Sequence, residues 1–242
     1  MRVSDRWVFF QSRSTSLGHE IERNNCVNLI TRIEDMLNAT ELACVFRPGK
    51  TKAIFDEMES FIADRDTRAL RISLKYLPFV HDVREIIANA AGRHALGLAR
   101  SGKLGNRPLL LFLDEAHNFL NKRLADEDTG YRLDSFEQIA KEGRKVSLNI
   151  CIATQRPRDI PEGVLSQIGT FIVHRLNNHK DREAVESASG EADRTVMAFV
   201  PALREGQAVV IGADVPIPLA VQITKPTQEP DSRGPDYQTQ WR

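Results

Sequence analysis

Residues 109–119 read LLLFLDEAHNF. Five consecutive apolar residues, with Pro108 before them and acids after them, predict a parallel strand buried on both faces, the kind found inside an α/β sheet. The strand ends in Asp114 and Glu115, so two carboxylates emerge at the carboxyl edge of the sheet, where open α/β folds bind their ligands. In a nucleotide hydrolase the first acid, Asp114, would hold a Mg²⁺ ion through water. The second, Glu115, would orient and deprotonate the attacking water. Acids at a strand end also simply cap the next helix, so this string needs further signals before it carries a function. His117 alone does not mark a metal ligand.

Those signals lie downstream. The next apolar run, Leu148–Ala153, predicts a second buried strand and leads into Thr154-Gln155-Arg156-Pro157, which brings an amide to the same edge as the two acids. There Gln155 would sense a γ-phosphate. The turn before that strand, KEGRK (141–145), supplies Arg144, whose guanidinium would stabilise phosphoryl charge within a site or across a subunit boundary. A third apolar run, Thr170–Leu176, carries His174 and Arg175 near its end. Helical spacing at Leu133–Lys141, Val164–Gln167 and Asp181–Ser189 gives the order strand, helix, strand, helix, strand, helix, which predicts a mainly parallel α/β sheet. Gln207–Gly212 and Leu219–Ile223, joined by a Pro-containing turn, predict a terminal hairpin or edge pair.

Upstream, apolar residues from Val83 to Leu98 recur at helical steps, with Asp82 near the start and Gly102 past the end as cap signals. Cys26, Leu29, Ile30, Ile33, Met36 and Leu37 place another amphipathic helix within Ser16–Leu37. Leu42–Phe46 reads as a strand, Phe55–Ile62 as a helix, and the alternation at Leu70, Ile72 and Leu74 as a half-buried strand. The domain reading is a mainly helical segment at 1–68, a core at 69–224 and a tail at 225–242.

The 242 residues suffice for one large or two small domains. Lys+Arg and Asp+Glu balance at 33 each, so there is neither a disordered polyelectrolyte nor a broad basic face, and any nucleic-acid contact is local. Cys26, Cys44 and Cys151 lack metal-ligand spacing and read as reduced thiols. The longest apolar run is far below the ~18 residues of a membrane span, which predicts a cytoplasmic location with no membrane partner.

Five further stretches carry a resemblance: ISLKYLPFVHDVREIIA (72–88), PLLLFLDEAHNFL (108–120), EGRK (142–145), ATQRPRDIPEGVLSQIGTFIVHRLNNHKDREAVESASG (153–190) and LREGQAVVIG (203–212). Over about residues 26–224 the chain resembles the RecA-like core of the HerA family, hexameric ATPases related to FtsK-type DNA pumps. The resemblance implies a P-loop NTPase three-layer sandwich, incomplete at its N-terminal side. It implies Asp114 and Glu115 as the Walker B pair, with ATP and Mg²⁺ as cofactors, and Gln155 as the polar sensor. It also implies Arg144 as an arginine coupling hydrolysis between subunits, and Arg175 as a further charged participant. Partners implied are double-stranded DNA, further copies in a homo-hexamer, and a NurA-like nuclease or sirtuin-like protein in repair or anti-phage defence.

One departure stands against those matches. A phosphate cradle needs GxxxxGK[ST], yet the nearest string, CVFRPGKT (44–51), has Cys44 where the first glycine belongs and Arg47-Pro48 where a strand should lead in. The chain therefore reads as the C-terminal part of a HerA-like ATPase without its P-loop strand. The alternative is a degenerate, non-hydrolysing module that assembles with an intact subunit. DEAH at 114–117 shares letters with a superfamily 2 helicase box, but QRPRDIPEG lacks the later glycine-arginine segment such helicases need.

Overall fold

The computed structural model describes residues 26–28, 30–35, 37–43, 53–77, 82–120, 134–189, 194–213, 215 and 217–228. The chain divides into two compact units, Met1–Val83 and Arg84–Arg242.

In the first unit, the described residues between 26 and 38 are helical, as the spacing predicts, while 16–25 lie outside the described residues. The strand expected at Leu42–Phe46 is not found where it can be followed: Thr40–Leu42 is a turn of 3₁₀ helix, and 44–46 lie outside the described residues. Helix α1, Ile54–Ala63, carries Asp56 and Glu57 in its first turn, where they complement the helix dipole, and buries Met58. The strand expected around Leu70, Ile72 and Leu74 is absent; residues 67–74 form no ladder, and Leu70 and Ile72 are exposed. Alternation supplies one face of a strand, but a ladder also needs a neighbouring backbone to pair with.

Helix α2, Val83–Arg100, is the long helix the sequence predicts, and it ends as the sequence predicts. Gly102 takes φ +76°, its N–H donates to Ala99 O and the Lys103 N–H donates to Leu98 O. That pair of bonds is a Schellman motif, which satisfies two carbonyls that the helix end would otherwise leave open.

Strand β1, Leu109–Leu113, pairs in parallel with β2, Leu148–Ile152, in the register Leu109↔Leu148 to Leu113↔Ile152. Helix α3, Ser135–Glu142, lies between them in sequence and packs on β2. Its N-terminus is tied to α2, because buried Asn89 accepts the Ser135 N–H at 3.0 Å. Phe136 and Ile139 point into the core with Leu148. The α/β class is as expected, but β1 is not buried on both faces: Leu110 and Phe112 are each 60% exposed, while Leu113 is buried.

The short helix α4, Glu162–Leu165, precedes β3, Thr170–Val173. Here the structure departs from the alternating pattern. β3 does not extend the β1–β2 pair but runs antiparallel to β4, Gln207–Gly212, which in turn pairs antiparallel with β5, Leu219–Gln222. The hairpin is as predicted, and β3 is its third strand. An apolar run carries no direction, so strand order had to be settled by tertiary packing. Helices α5, His179–Ala188, and α6, Arg194–Phe199, cover this sheet through a core of Val173, Val185, Met197, Val200, Val209 and Ile211. The tail beyond 228 lies outside the described residues. No helix among the described residues is long and apolar enough to cross a membrane.

Candidate active site

The site begins where the parallel ladder stops. Beyond the last paired residues the Ala153 N–H donates to Leu113 O at 2.8 Å, and the Ala116 N–H donates to Ala153 O at 3.0 Å. These two bonds hold the turn after β1 against the end of β2, so residues 114–117 and 154–155 emerge side by side. Between the bonds, Glu115 adopts φ 49°, ψ 46°, the left-handed region that a residue with a Cβ normally avoids.

The backbone delivers Glu115 onto Gln155. The Gln155 Nε2 donates to Glu115 Oε1 at 2.6 Å. The other carboxylate oxygen, Oε2, is shut off from solvent and makes no hydrogen bond. His117 Nδ1 stands 3.4 Å from it and 3.1 Å from Thr154 Oγ1, which also accepts the Arg156 N–H at 3.1 Å. Asp114 is exposed beside this cluster.

The structure thus brings together Asp114, Glu115 and Gln155, three of the residues singled out from sequence. Arg144 lies elsewhere. It sits in the 3₁₀ turn Gly143–Val146 that leads into β2, whereas Gln155 follows the far end of that strand. A strand advances about 3.3 Å per residue, so β2 alone puts about 13 Å between the two ends. Arg175 is exposed just after β3, where the neighbouring His174 Nδ1 meets Gln207 O at 3.0 Å. His117 and Thr154 are members of the cluster that the sequence did not mark. They are 37 positions apart, and only the β1–β2 register brings them into contact.

The oxygen-donor set suits one kind of metal. Mg²⁺ is commonly held by one or two carboxylates while substrate phosphates and water fill the remaining positions. An exposed Asp114 next to Glu115 matches that arrangement. No group of three or more His, Cys, Asp or Glu that would form an all-protein metal cage occurs among the described residues.

A parallel strand pair presenting two acids and an amide at its carboxyl edge defines an α/β protein with a candidate site at that edge. Residues 97–232, more than half of the chain, match the family model described as Helicase HerA-like C-terminal, and the chain belongs to that family. A probable helicase of Methanocaldococcus jannaschii is 34% identical over 119 residues, which are 49% of this chain and 22% of that protein. The DNA double-strand break repair helicase HerA of Pyrococcus furiosus is 33% identical over 116 residues, 48% of this chain and 20% of that protein. The chain spans between a fifth and a quarter of these two relatives. Among solved structures, the genome packaging NTPase B204 of Sulfolobus turreted icosahedral virus 2 superposes with a TM-score of 0.49 at 13% identity, covering 76% of this chain and 78% of that one.

Proposed function

We propose that the chain supplies the acid-bearing part of an ATP-hydrolysing site in a HerA-like DNA translocase. The observation that carries this reading is the 2.6 Å hydrogen bond from Gln155 to Glu115 at the carboxyl edge of the β1–β2 pair. It joins a general-base candidate to an amide that a γ-phosphate would compete for. In this reading Asp114 holds Mg²⁺ through water, and the ion, when bound with ATP, neutralises phosphate charge. Glu115 orients the attacking water and takes its proton. Gln155 reports on the γ-phosphate. Arg144, at the opposite end of β2, serves the site of a neighbouring subunit, and Arg175 contributes positive charge. The whole protein would be a homo-hexamer moving along double-stranded DNA in repair or anti-phage defence, with a NurA-like nuclease or a sirtuin-like partner.

A second reading is favoured by the sequence itself, because no GxxxxGK[ST] occurs in it. The chain would then be a degenerate, non-hydrolysing module that assembles with an intact subunit without lending its acids to a site. ATP turnover by the chain, alone and mixed with a subunit that carries a phosphate loop, separates the two. Turnover that depends on Glu115 of this chain supports the acid-bearing site, and turnover indifferent to it supports the non-hydrolysing module. In whichever preparation turns over ATP, Glu115→Gln should lower kcat by about 10²–10⁴-fold while ATP stays bound. Unchanged turnover would remove Glu115 from the chemistry.

A further inference from the structure

The carboxylate of Glu115 meets the protein on two sides, and only one contact is explained by phosphate sensing. Gln155 takes Oε1, while Oε2 faces the protein, shielded from solvent and without a hydrogen bond, with His117 Nδ1 at 3.4 Å. The ring itself is well set, since the His117 side chain is only 15% exposed and Nδ1 meets Thr154 Oγ1 at 3.1 Å. Thr154 is pinned in turn by the Arg156 N–H at 3.1 Å.

The position of the ring proton decides what this arrangement does. With the proton on Nε2, Nδ1 could accept the Thr154 hydroxyl proton, but its lone pair would also stand 3.4 Å from a carboxylate oxygen, which is repulsive, and would leave that shielded oxygen uncompensated. With the proton on Nδ1, the N–H reaches the Thr154 hydroxyl oxygen at 3.1 Å and sets its positive hydrogen on the side of the carboxylate oxygen 3.4 Å away. We propose that His117 is a positioning residue for Glu115, carrying its proton on Nδ1, donating it to Thr154 Oγ1 and facing Glu115 Oε2 with it. The consequence for catalysis rests on the hydrolytic reading above. With Oε2 held from the protein side, Oε1 is the oxygen left for water when Gln155 turns to a γ-phosphate. Thr154 acts one step further out, by fixing the ring.

Two measurements test this, and their failures mean different things. Long-range ¹H–¹⁵N NMR on the histidine-labelled chain, with the His117 signals assigned by their loss in His117→Gln, reads the tautomer without any nucleotide. The expected result is a pyrrole-like Nδ1 and a pyridine-like Nε2, the reverse of the form free histidine prefers, with both signals moving in Thr154→Val and in Glu115→Gln. A pyridine-like Nδ1 in the unmodified chain, or signals indifferent to Thr154→Val, would overturn the proposal. The second measurement is steady-state ATP hydrolysis by the loop-complete assembly. His117→Ala should lower kcat by about tenfold or more with KM unchanged. His117→Asn, which keeps an N–H near the Nδ1 position, should recover much of the loss. Equal losses in both variants, or none in either, would overturn the positioning role. An Nδ1–H tautomer in a protein that never hydrolyses ATP would leave the ring placement standing and sink the hydrolytic reading instead.

Discussion

Glu115 is the one residue of the cluster that pays a backbone cost for its place, in the left-handed region at φ 49°. Such a conformation costs a residue with a Cβ roughly 1–2 kcal/mol, and glycine almost nothing. Strain of this kind persists where surrounding bonds over-determine it, as the flanking Ala153–Leu113 and Ala116–Ala153 bonds do here. Removing the side chain in two ways therefore separates backbone from carboxylate. Glu115→Gly should be more stable than Glu115→Ala by about 1 kcal/mol, measured as the difference in urea midpoint at equal slope. Both variants lack the carboxylate, so equal stabilities would mean that the left-handed geometry is not held in solution.

Glycines at element ends show that the same residue can be required for different physical reasons. Gly102, φ +76°, has open space where a Cβ would be, so Gly102→Ala should cost only the conformational penalty, about 1 kcal/mol. Gly143, at the end of α3, has an ordinary φ of −56°, but a Cβ there would clash with the Leu148 carbonyl oxygen. Gly143→Ala must push the helix end off β2 and should cost about 1–3 kcal/mol by overpacking; urea unfolding of the two variants side by side tests the order. The Gly102 cap was legible in the sequence because a glycine just past a helical repeat signals it, whereas the Gly143 contact was not, since it depends on where Leu148 lies in space. The same distinction runs through the fold. Asp114, Glu115 and Gln155 could be read as one site because each follows a strand that announces itself by five or six apolar residues. The antiparallel partner of β3, the open face of Leu110 and Phe112, and the meeting of His117 with Thr154 are facts about neighbours, and a linear pattern does not encode neighbours 30 or more positions away.

At the scale of the whole molecule, strand β2 separates two charged clusters by its own length. Asp114, Glu115 and Gln155 stand at the carboxyl edge, and Arg144 leads into β2 at the other. Under the proposed function, a ring in which Arg144 of each copy meets the acids of a neighbour would use both edges. In the loop-complete assembly, Glu115→Gln and Arg144→Ala subunits should each be nearly inactive alone. Mixed, they should regain measurable ATPase, because some boundaries pair an intact Glu115 with an intact Arg144. No recovery on mixing would return Arg144 to its own subunit's site or to no site at all. The ladder that joins Leu113 to Ile152 has one more implication. Shifting β2 by a single residue would turn Gln155 to the other side of the sheet and carry it away from Glu115. Only a correctly registered fold assembles the acid–amide pair, so under the proposed function a misregistered copy would be silent, and the pairing of the backbone would proofread the site.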